Sequence, residues 1–463
     1  MKNTFLLARL LTFLLVCVNF LKAESNHHLL SLNEAVELAI KNDAWLVSNS
    51  QIQSSIELTA VSESTLPDPT LSFDFANLPT DTFRSNQEMM TQAKIGFSQK
   101  LPRGESLALK QKHAELSASI YPILREDRKA KVEVIVSQLW LDIFKAQHSI
   151  SLIENDRSLF EQLVDVAQIN YASTIGNTRQ LDIIRAQLEL TRLDDRLINL
   201  KQLKDRTLTD LRDWVSKDVH SNTAKVITSN INISKQLPVV QLTNKFINID
   251  NLNGKLQSEQ LVLYELISNH PKLRIMNQKV AMSKNNVHLA KESFQPEWGV
   301  RASYAYREND PAGIDRKDFF SVGVSFDLPI FTKNKQNKML DSAKYVLQSE
   351  KTNKWLLAKN MITELKKENV QLIRFEQRLE LYKKLLLPQM QQQADAALTS
   401  YTNDDGDFTE VVRSRIAFLN ANIDFLNIKI EKLKTLTNIN YLLVGNKETE
   451  TDNEGFSKSG EKR

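Results

Sequence analysis

The sequence has a single cysteine in 463 residues, Cys17, inside an apolar run near the N-terminus. Cleavage of that run would leave no thiol, which excludes disulfides and thiolate metal sites. Glycine and proline are nearly as scarce, 11 of each, so turns are few and the composition suits long helices. Charge of one sign is missing too: 60 Lys and Arg against 56 Asp and Glu give a formal net charge of only +4. Nucleic-acid binders concentrate basic charge on one face, so no nucleic-acid partner is expected. No glycine-rich phosphate loop, HExxH or GxSxG occurs, so neither catalysis nor a cofactor is expected. The seven histidines are scattered apart from His27 and His28, and no metal site is expected. Met89 and Met90 are able to touch soft cations but read as ordinary loop residues.

What the N-terminus does contain is Lys2 and Arg9, then an apolar stretch from Leu10 to Leu21, then Ala23. This is the pattern of a secretory signal peptide over residues 1–23. The run is shorter than the roughly 20 apolar residues of a membrane-spanning helix. Lipidation at Cys17 would want small residues upstream, and Leu15 and Val16 stand there. No other run approaches a spanning helix, so an exported chain of this kind is periplasmic, secreted, or embedded through strands.

The chain repeats itself. At an offset of 227 residues Asn42 matches Asn269, Leu46 matches Leu273, Pro69 matches Pro296, Gly96 matches Gly323 and Pro102 matches Pro329. The best window reads IGFSQKLP in the first copy and VGVSFDLP in the second. At an offset of 230, Tyr171 and Gly176 match Tyr401 and Gly406, preserving a Tyr-x4-Gly spacing. The expected organisation is a first repeat at 24–215, an irregular Asn-, Ser- and Thr-rich connector at 216–258, a second repeat at 259–445, and a polar, disordered tail at 446–463.

Each repeat carries two alternating runs, at about 69–77 and 91–101 in the first and about 297–307 and 318–329 in the second. Leu71, Phe73 and Phe75 alternate with Ser72 and Asp74; Phe320, Val322, Val324 and Phe326 alternate with Ser321, Gly323 and Ser325. Period two gives each strand one apolar and one polar face. A soluble sheet would alternate likewise. Lengths of 9–11 residues, aromatics near the ends, and Asp74, Lys94 and Arg301 on the polar side favour a tilted bilayer crossing around a wet lumen. Four strands cannot close a barrel, and lipid does not tolerate an open edge. Several chains must therefore share one barrel, and three copies would supply twelve strands.

Between Gly104 and Tyr171 the only helix breaker is Pro122, and the counterpart from about Lys335 to Tyr401 holds only Pro388. Sixty-eight helical residues would extend roughly 100 Å. Helices return at Thr178–Trp214 and Phe408–Leu443, so the hairpins are expected at about 104–214 and 335–443. Leu181, Ile184, Leu188, Thr191 and Ile198 have coiled-coil-like spacing, and Ala167, Ala186, Ala394 and Ala397 would permit close helix approach.

PDPTLSF, NLPTD, the repeated GxSxxLP, the two Tyr-x4-Gly elbows and LLLPQMQQQADAALTSY together resemble the outer-membrane efflux family whose best-known member is TolC. The first repeat is most similar to the branch serving heavy-metal cation pumps of the cobalt-zinc-cadmium or copper-silver type. The resemblance covers almost all of residues 30–445. It implies a mainly α protein with a membrane β-barrel: a homotrimer with a shared 12-stranded barrel in outer-membrane lipid and a long α-helical tunnel in the periplasm. It implies a passive exit duct, fed by a periplasmic adaptor and an inner-membrane RND-type pump, and no catalysis. A drug or peptide duct of the same fold is the alternative cargo, and a periplasmic helical adaptor or scaffold the alternative class.

The family's tunnels close at the periplasmic tip with rings of acidic residues. On this alignment the tip is Asp404, Asp405, Asp407 and Glu410, with Arg413 where a second acid is usual and the elbow one residue short. Three copies of each acid around an axis would attract cations. Asp and Gly also favour a solvated turn for their own reasons. In the first elbow Asp182 and Arg185 are placed to pair with neighbours across the helix seam.

Overall fold

The computed structural model describes residues 29–172, 180–216, 232–233, 236–241, 256–403 and 406–445. The expected signal peptide with Cys17, His27 and His28, the first elbow's Gly176, most of the connector, Asp404, Asp405 and the tail lie outside the described residues.

In chain order the elements are β1 (Leu29–Leu30), α1 (Leu32–Asn42), α2 (Ala44–Glu63), β2 (Thr70–Ala76), β3 (Gln92–Leu101), α3 (Ser106–Ala118), α4 (Ile120–Ala172) and α5 (Gln180–Val215). Then come β4 (Asn232–Ile233), α6 (Leu256–Ser268), α7 (Pro271–Glu292), β5 (Trp298–Tyr306), β6 (Phe319–Phe326), a 3-10 turn (Thr332–Asn334), α8 (Gln336–Leu381), a π-turn (Tyr382–Leu386), α9 (Leu387–Thr402) and α10 (Phe408–Leu442). None of the described helices is long and apolar enough to cross a membrane.

The contacts divide the chain into two compact units that each draw on both repeats. One comprises Met1–Asp43, Val132–Gln241 and Gln371–Thr437; the other comprises Ala44–Lys131, Leu242–Val370 and Asn438–Arg463.

The first unit is helical, apart from β1 paired in parallel with β4. On α4 the buried residues Ala146, Ile150, Ile153, Phe160, Val164 and Ala167 step by four, three, seven, four and three. On α10 Val412, Leu419, Ile423 and Ile430 step by seven, four and seven. These are heptad seams, and from Ile150 to Ala167 on α4 and from Val412 to Ile423 on α10 they form one core with Ala186, Leu193 and Leu197 of α5. The row Leu181, Ile184, Leu188 and Ile198 is exposed instead. The return helix therefore carries two apolar stripes, and the chain covers only the one built on Ala186. Fully buried Ala167 and Ala186, with Ala394 nearly so, occupy close-approach positions. Trp140 anchors the far end of the unit: its indole N–H donates to the Leu30 carbonyl at 3.1 Å. Nearby, Lys434 reaches Asp142 at 2.7 Å.

The second unit is built on a four-stranded antiparallel sheet ordered β2-β3-β5-β6. The two repeats meet at β3–β5, where Gly96 faces Ser303 and Leu101 faces Trp298. The hairpins differ in register. Gly96 lies opposite Ser72, but its counterpart Gly323 lies opposite Arg301 and not opposite Gly299, the counterpart of Ser72. A slip of two residues preserves which face each side chain takes. Two strands of the sheet are shorter than the expected 9–11 residues: β2 has seven and β6 has eight. Helix α2 packs on α3, and α3 on α7.

The helical stretch ahead of the first strand pair divides at Asp43 into α1 and α2, and its counterpart in the second repeat divides at Asn269–His270. Asp43 and His270 are equivalent at the offset of 227. Pro271 drives its predecessor out of the helical region, and His270 is extended at φ −60°, ψ 135°. The long first helix is interrupted at Ser119, whose hydroxyl donates to the Leu116 carbonyl, three residues before Pro122. Pro388 lacks the N–H that would reach the Lys384 carbonyl, and the helix widens just before it: Leu387 N–H donates to the Tyr382 carbonyl, one residue further back than α-geometry.

His270 is fully buried. Its Nδ1 accepts the Lys272 backbone N–H at 3.1 Å, capping α7, so the hydrogen sits on Nε2 and points to the Tyr441 carbonyl at 3.1 Å. The Tyr441 hydroxyl donates to Asp127 at 2.8 Å, and Lys131 pairs with the same carboxylate. Burial, reinforced by Lys272 and Lys131 against the opposing pull of Asp127 and the Tyr441 carbonyl, drops the His270 pKa to about 4. The unfolded chain takes that proton near pH 6.5. Stability is therefore full above pH 6.5 and is lost as pH falls toward 4, because the unfolded state then binds more protons. Between pH 7 and 5 the loss from this residue is about 2 kcal/mol. Denaturation midpoints measured at the two pH values should show this loss, and His270→Asn, which keeps a capping acceptor, should flatten the slope. Parallel slopes for the two proteins would refute it.

Candidate functional site

Two regions carry the residues singled out from sequence: the elbow between α9 and α10, and the two faces of the sheet. At the elbow, α9 closes with the Asn403 N–H on the Thr399 and Ser400 carbonyls. A Cβ on Gly406 would lie 2.6 Å from the Tyr401 nitrogen and 2.8 Å from the Ser400 carbonyl carbon, so only glycine permits the chain to reverse this tightly. Asp407 then caps α10, its carboxylate accepting the Thr409 N–H at 3.0 Å. Glu410, three residues on, sits in the first turn, where the helix dipole favours an anion. Its carboxylate lies 3.4 Å from both Arg413 and Gln393. Behind the turn, Tyr401 and Phe408 meet edge to face at 5.3 Å and join the core that contains Phe160 and Ala186.

Arg185 reaches the same turn. Its guanidinium donates to the Thr409 hydroxyl at 2.8 Å and lies 3.9 Å from Asp182. Arg185, Asp407, Glu410 and Arg413 therefore gather around the first turn of α10, while Asp182 is buried behind them. Asp404 and Asp405 lie outside the described residues.

Sequence reasoning missed a second ionic group. Arg415 pairs with Asp395 at 3.6 Å and faces Asp156, whose pKa is pushed up by burial and held back by that guanidinium. The signal was available: Phe408, Val412, Arg415 and Leu419 step by four, three and four, so the arginine occupies an apolar seam position.

On the sheet, Phe73, Phe75, Phe320, Val322 and Val324 project from one face and are exposed. The opposite face carries Ser72, Asp74, Lys94, Arg301, Ser303 and Ser321, lining a trough. Asp74 and Lys94 are direct cross-strand partners. Arg301 lies across Gly323, where a Cβ would meet its Nε at 2.6 Å. At one end, Arg316 is buried and ties the two inter-strand loops together, donating to the Asn86 carbonyl at 3.2 Å, the Glu88 carbonyl at 3.0 Å and Asp310 at 2.8 Å. Sequence alone did not single out this arginine, because backbone carbonyls leave no residue pattern. Among the described residues no three His, Cys, Asp or Glu side chains come together as a metal site.

Residues 262–443 match the sequence model of the outer membrane efflux protein family. No match was found among curated proteins. Among solved structures, the chain superposes on VceC, an outer membrane protein of Vibrio cholerae, with a TM-score of 0.69 at 12% identity, covering 89% of this chain and 95% of that one. The Campylobacter jejuni outer membrane channel CmeC gives 0.70 at 14% identity over 89% and 85% of the two chains. CusC, described in terms of transmembrane channel formation, gives 0.67 at 11% over 89% and 91%. At such identities the likeness establishes the fold, with its four-stranded sheet and long helical hairpins. The second repeat thus matches the model of the outer membrane efflux protein family, and the fold of the chain is that of the TolC-like outer-membrane channels.

Proposed function

We propose that this protein is the passive outer-membrane exit duct of a tripartite efflux system, working as a homotrimer. The observation that carries the reading is the sheet: one face exposed and apolar, the other polar, and the outer edges of β2 and β6 without a strand partner among the described residues. In water such a surface invites aggregation. In lipid an open edge costs several kcal/mol per unsatisfied backbone group. Three chains pairing β2 of one with β6 of the next close a 12-stranded barrel that puts Phe73, Phe75 and Val322 in lipid and Asp74, Lys94 and Arg301 in a wet lumen. The uncovered stripe Leu181, Ile184, Leu188 and Ile198 on α5 then packs against a neighbouring subunit. A periplasmic adaptor and an inner-membrane RND-type pump deliver cargo, and the duct performs no chemistry.

Detergent extraction of the outer membrane should yield a trimer whose gel migration changes on heating. Recovery as a soluble periplasmic monomer would overturn the reading and favour an adaptor or scaffold.

The α9–α10 elbow is the gate, and its acids select for cations, in keeping with a heavy-metal cargo. Three copies of Asp407 and Glu410 ring the axis, and Arg185 holds the first turn of α10 through Thr409. Asp407→Asn keeps a capping side chain and removes one charge per subunit; Glu410→Ala releases Arg413 and Gln393. Each should raise single-channel conductance in a planar bilayer and weaken block by divalent cations. Unchanged conductance and block in both would remove the gate from this elbow.

A further inference from the structure

The two repeats enter their long helices through unlike turns. In the first copy the chain leaves β3 through Leu101, Pro102, Arg103 and Gly104, and this turn is bound into its surroundings. Arg103 donates to the Gln295 carbonyl at 2.8 Å and pairs with Asp327, while the Glu105 N–H donates to Glu292 at 3.2 Å. Gly104 has φ +43°, and a Cβ there would overlap the Glu292 carboxylate. The offset of 227 places Leu328, Pro329, Ile330 and Phe331 at the equivalent positions in the second copy. Here nothing polar replaces the staple. Ile330 is 69% exposed and Phe331 89%, the most exposed large apolar side chain of the described residues.

This apolar tip continues the sheet. Phe320, Val322, Val324 and Phe326 share the exposed apolar face of β6, and Leu328 and Ile330 extend the same two-residue step beyond its end. Directly after the tip come Lys333, Lys335 and Lys338, all exposed, and no acid lies between Leu328 and Leu340. An apolar knob followed by three lysines is the arrangement that places side chains among acyl chains and ammonium groups at phosphates. No comparable stretch follows the first-copy turn, where Glu105 and Glu115 flank Lys110 and Lys112.

We infer that the segment Leu328–Lys338 is a membrane-interface anchor specific to the second repeat, with Ile330 and Phe331 in the acyl layer and the three lysines on the headgroups of anionic phospholipid. The inference rests on the sheet crossing a membrane, as proposed above. It makes each trimer grip the bilayer at three points below the barrel, one for each second repeat, and leaves the first-repeat turns bonded to protein. Each lysine near an anionic surface contributes roughly a fivefold preference for it.

A bimane probe on Phe331→Cys, or on Val322→Cys as the strand control, reads the environment directly, with Cys17→Ala in both so that one site is labelled. The trimer is reconstituted in vesicles containing a small fraction of doxyl-labelled phosphatidylglycerol or phosphatidylcholine, and iodide serves as the aqueous quencher. The expected result is lipid quenching at both sites, severalfold stronger at 331 with phosphatidylglycerol than with phosphatidylcholine. Lys333→Gln, Lys335→Gln and Lys338→Gln together should bring that ratio at 331 to about one. Quenching at 331 by iodide alone, or by neither reagent as under a neighbouring chain, overturns the anchor while Val322 still reports lipid. Equal quenching by the two lipids in the parent overturns the assignment of the lysines. Failure of Val322 to report lipid sinks the membrane reading itself.

Discussion

Backbone hydrogen bonding at the sheet edge governs the rest of the structure. Each β-hairpin satisfies its inner groups, and β3 pairs with β5 to join the two copies, but β2 and β6 still present a row of free N–H and carbonyl groups. A chain with four strands has no internal remedy, because four cannot bend round to meet. The exposed apolar face removes the usual second remedy of leaving the edge in water. Duplication thus brings the chain only part of the way to closure, and the trimer proposed above would complete what the repeat begins. α3 and α8 each follow a strand through a turn that contains a proline, Pro102 or Pro329.

Helices as long as α4 and α10 tolerate few local errors, and the few prolines are placed where the backbone can absorb them. Pro271 occupies the first helical position, where no N–H is needed. Pro122 lies in the first turn of α4, where the same is true. Pro388 has no such shelter, and a π-turn takes up the mismatch. Packing supplies most of the stability of such helices, and the seam of Ile150, Ile153, Phe160 and Ala167 with Leu419 and Ile423 repeats that packing heptad after heptad. At the α9–α10 elbow the seam must stop, and there Gly406, Asp407 and the Tyr401–Phe408 pair fix the reversal.

The strands and the duplication were legible because period two and a constant offset survive any amount of burial. The elbow was legible for a similar reason, since a Tyr-x4-Gly spacing and a capping aspartate declare a turn. The seam of α5 was harder. Leu181, Ile184 and Leu188 are larger and more apolar than Ala186, yet the chain buries Ala186, because close approach to α4 rewards a small residue where a leucine would hold the helices apart. Arg316 was hidden as well, as two of its three partners are the carbonyls of Asn86 and Glu88 and the third, Asp310, is a loop acid like its neighbours. The divisions at Asp43 and Ser119 were also hidden, since neither residue breaks a helix by itself.

Where the repeats diverge, the divergence follows from environment more than from drift. Gly323 faces Arg301 where Gly96 faces Ser72, so a two-residue slip moves a guanidinium onto the polar face without moving any side chain to the other one. His270 stands where the first copy has Asp43, and only the histidine is enclosed by Asp127, Lys131 and Tyr441. An aspartate in that enclosure would place a second carboxylate beside Asp127, whereas a neutral imidazole caps the helix at no Coulombic cost. Arg103 and Ile330 differ likewise: the first has Asp327 and the Gln295 carbonyl within reach, and the second is apolar and exposed. A unit duplicated within one chain has two environments, and each copy has the side chains that its own surroundings can satisfy.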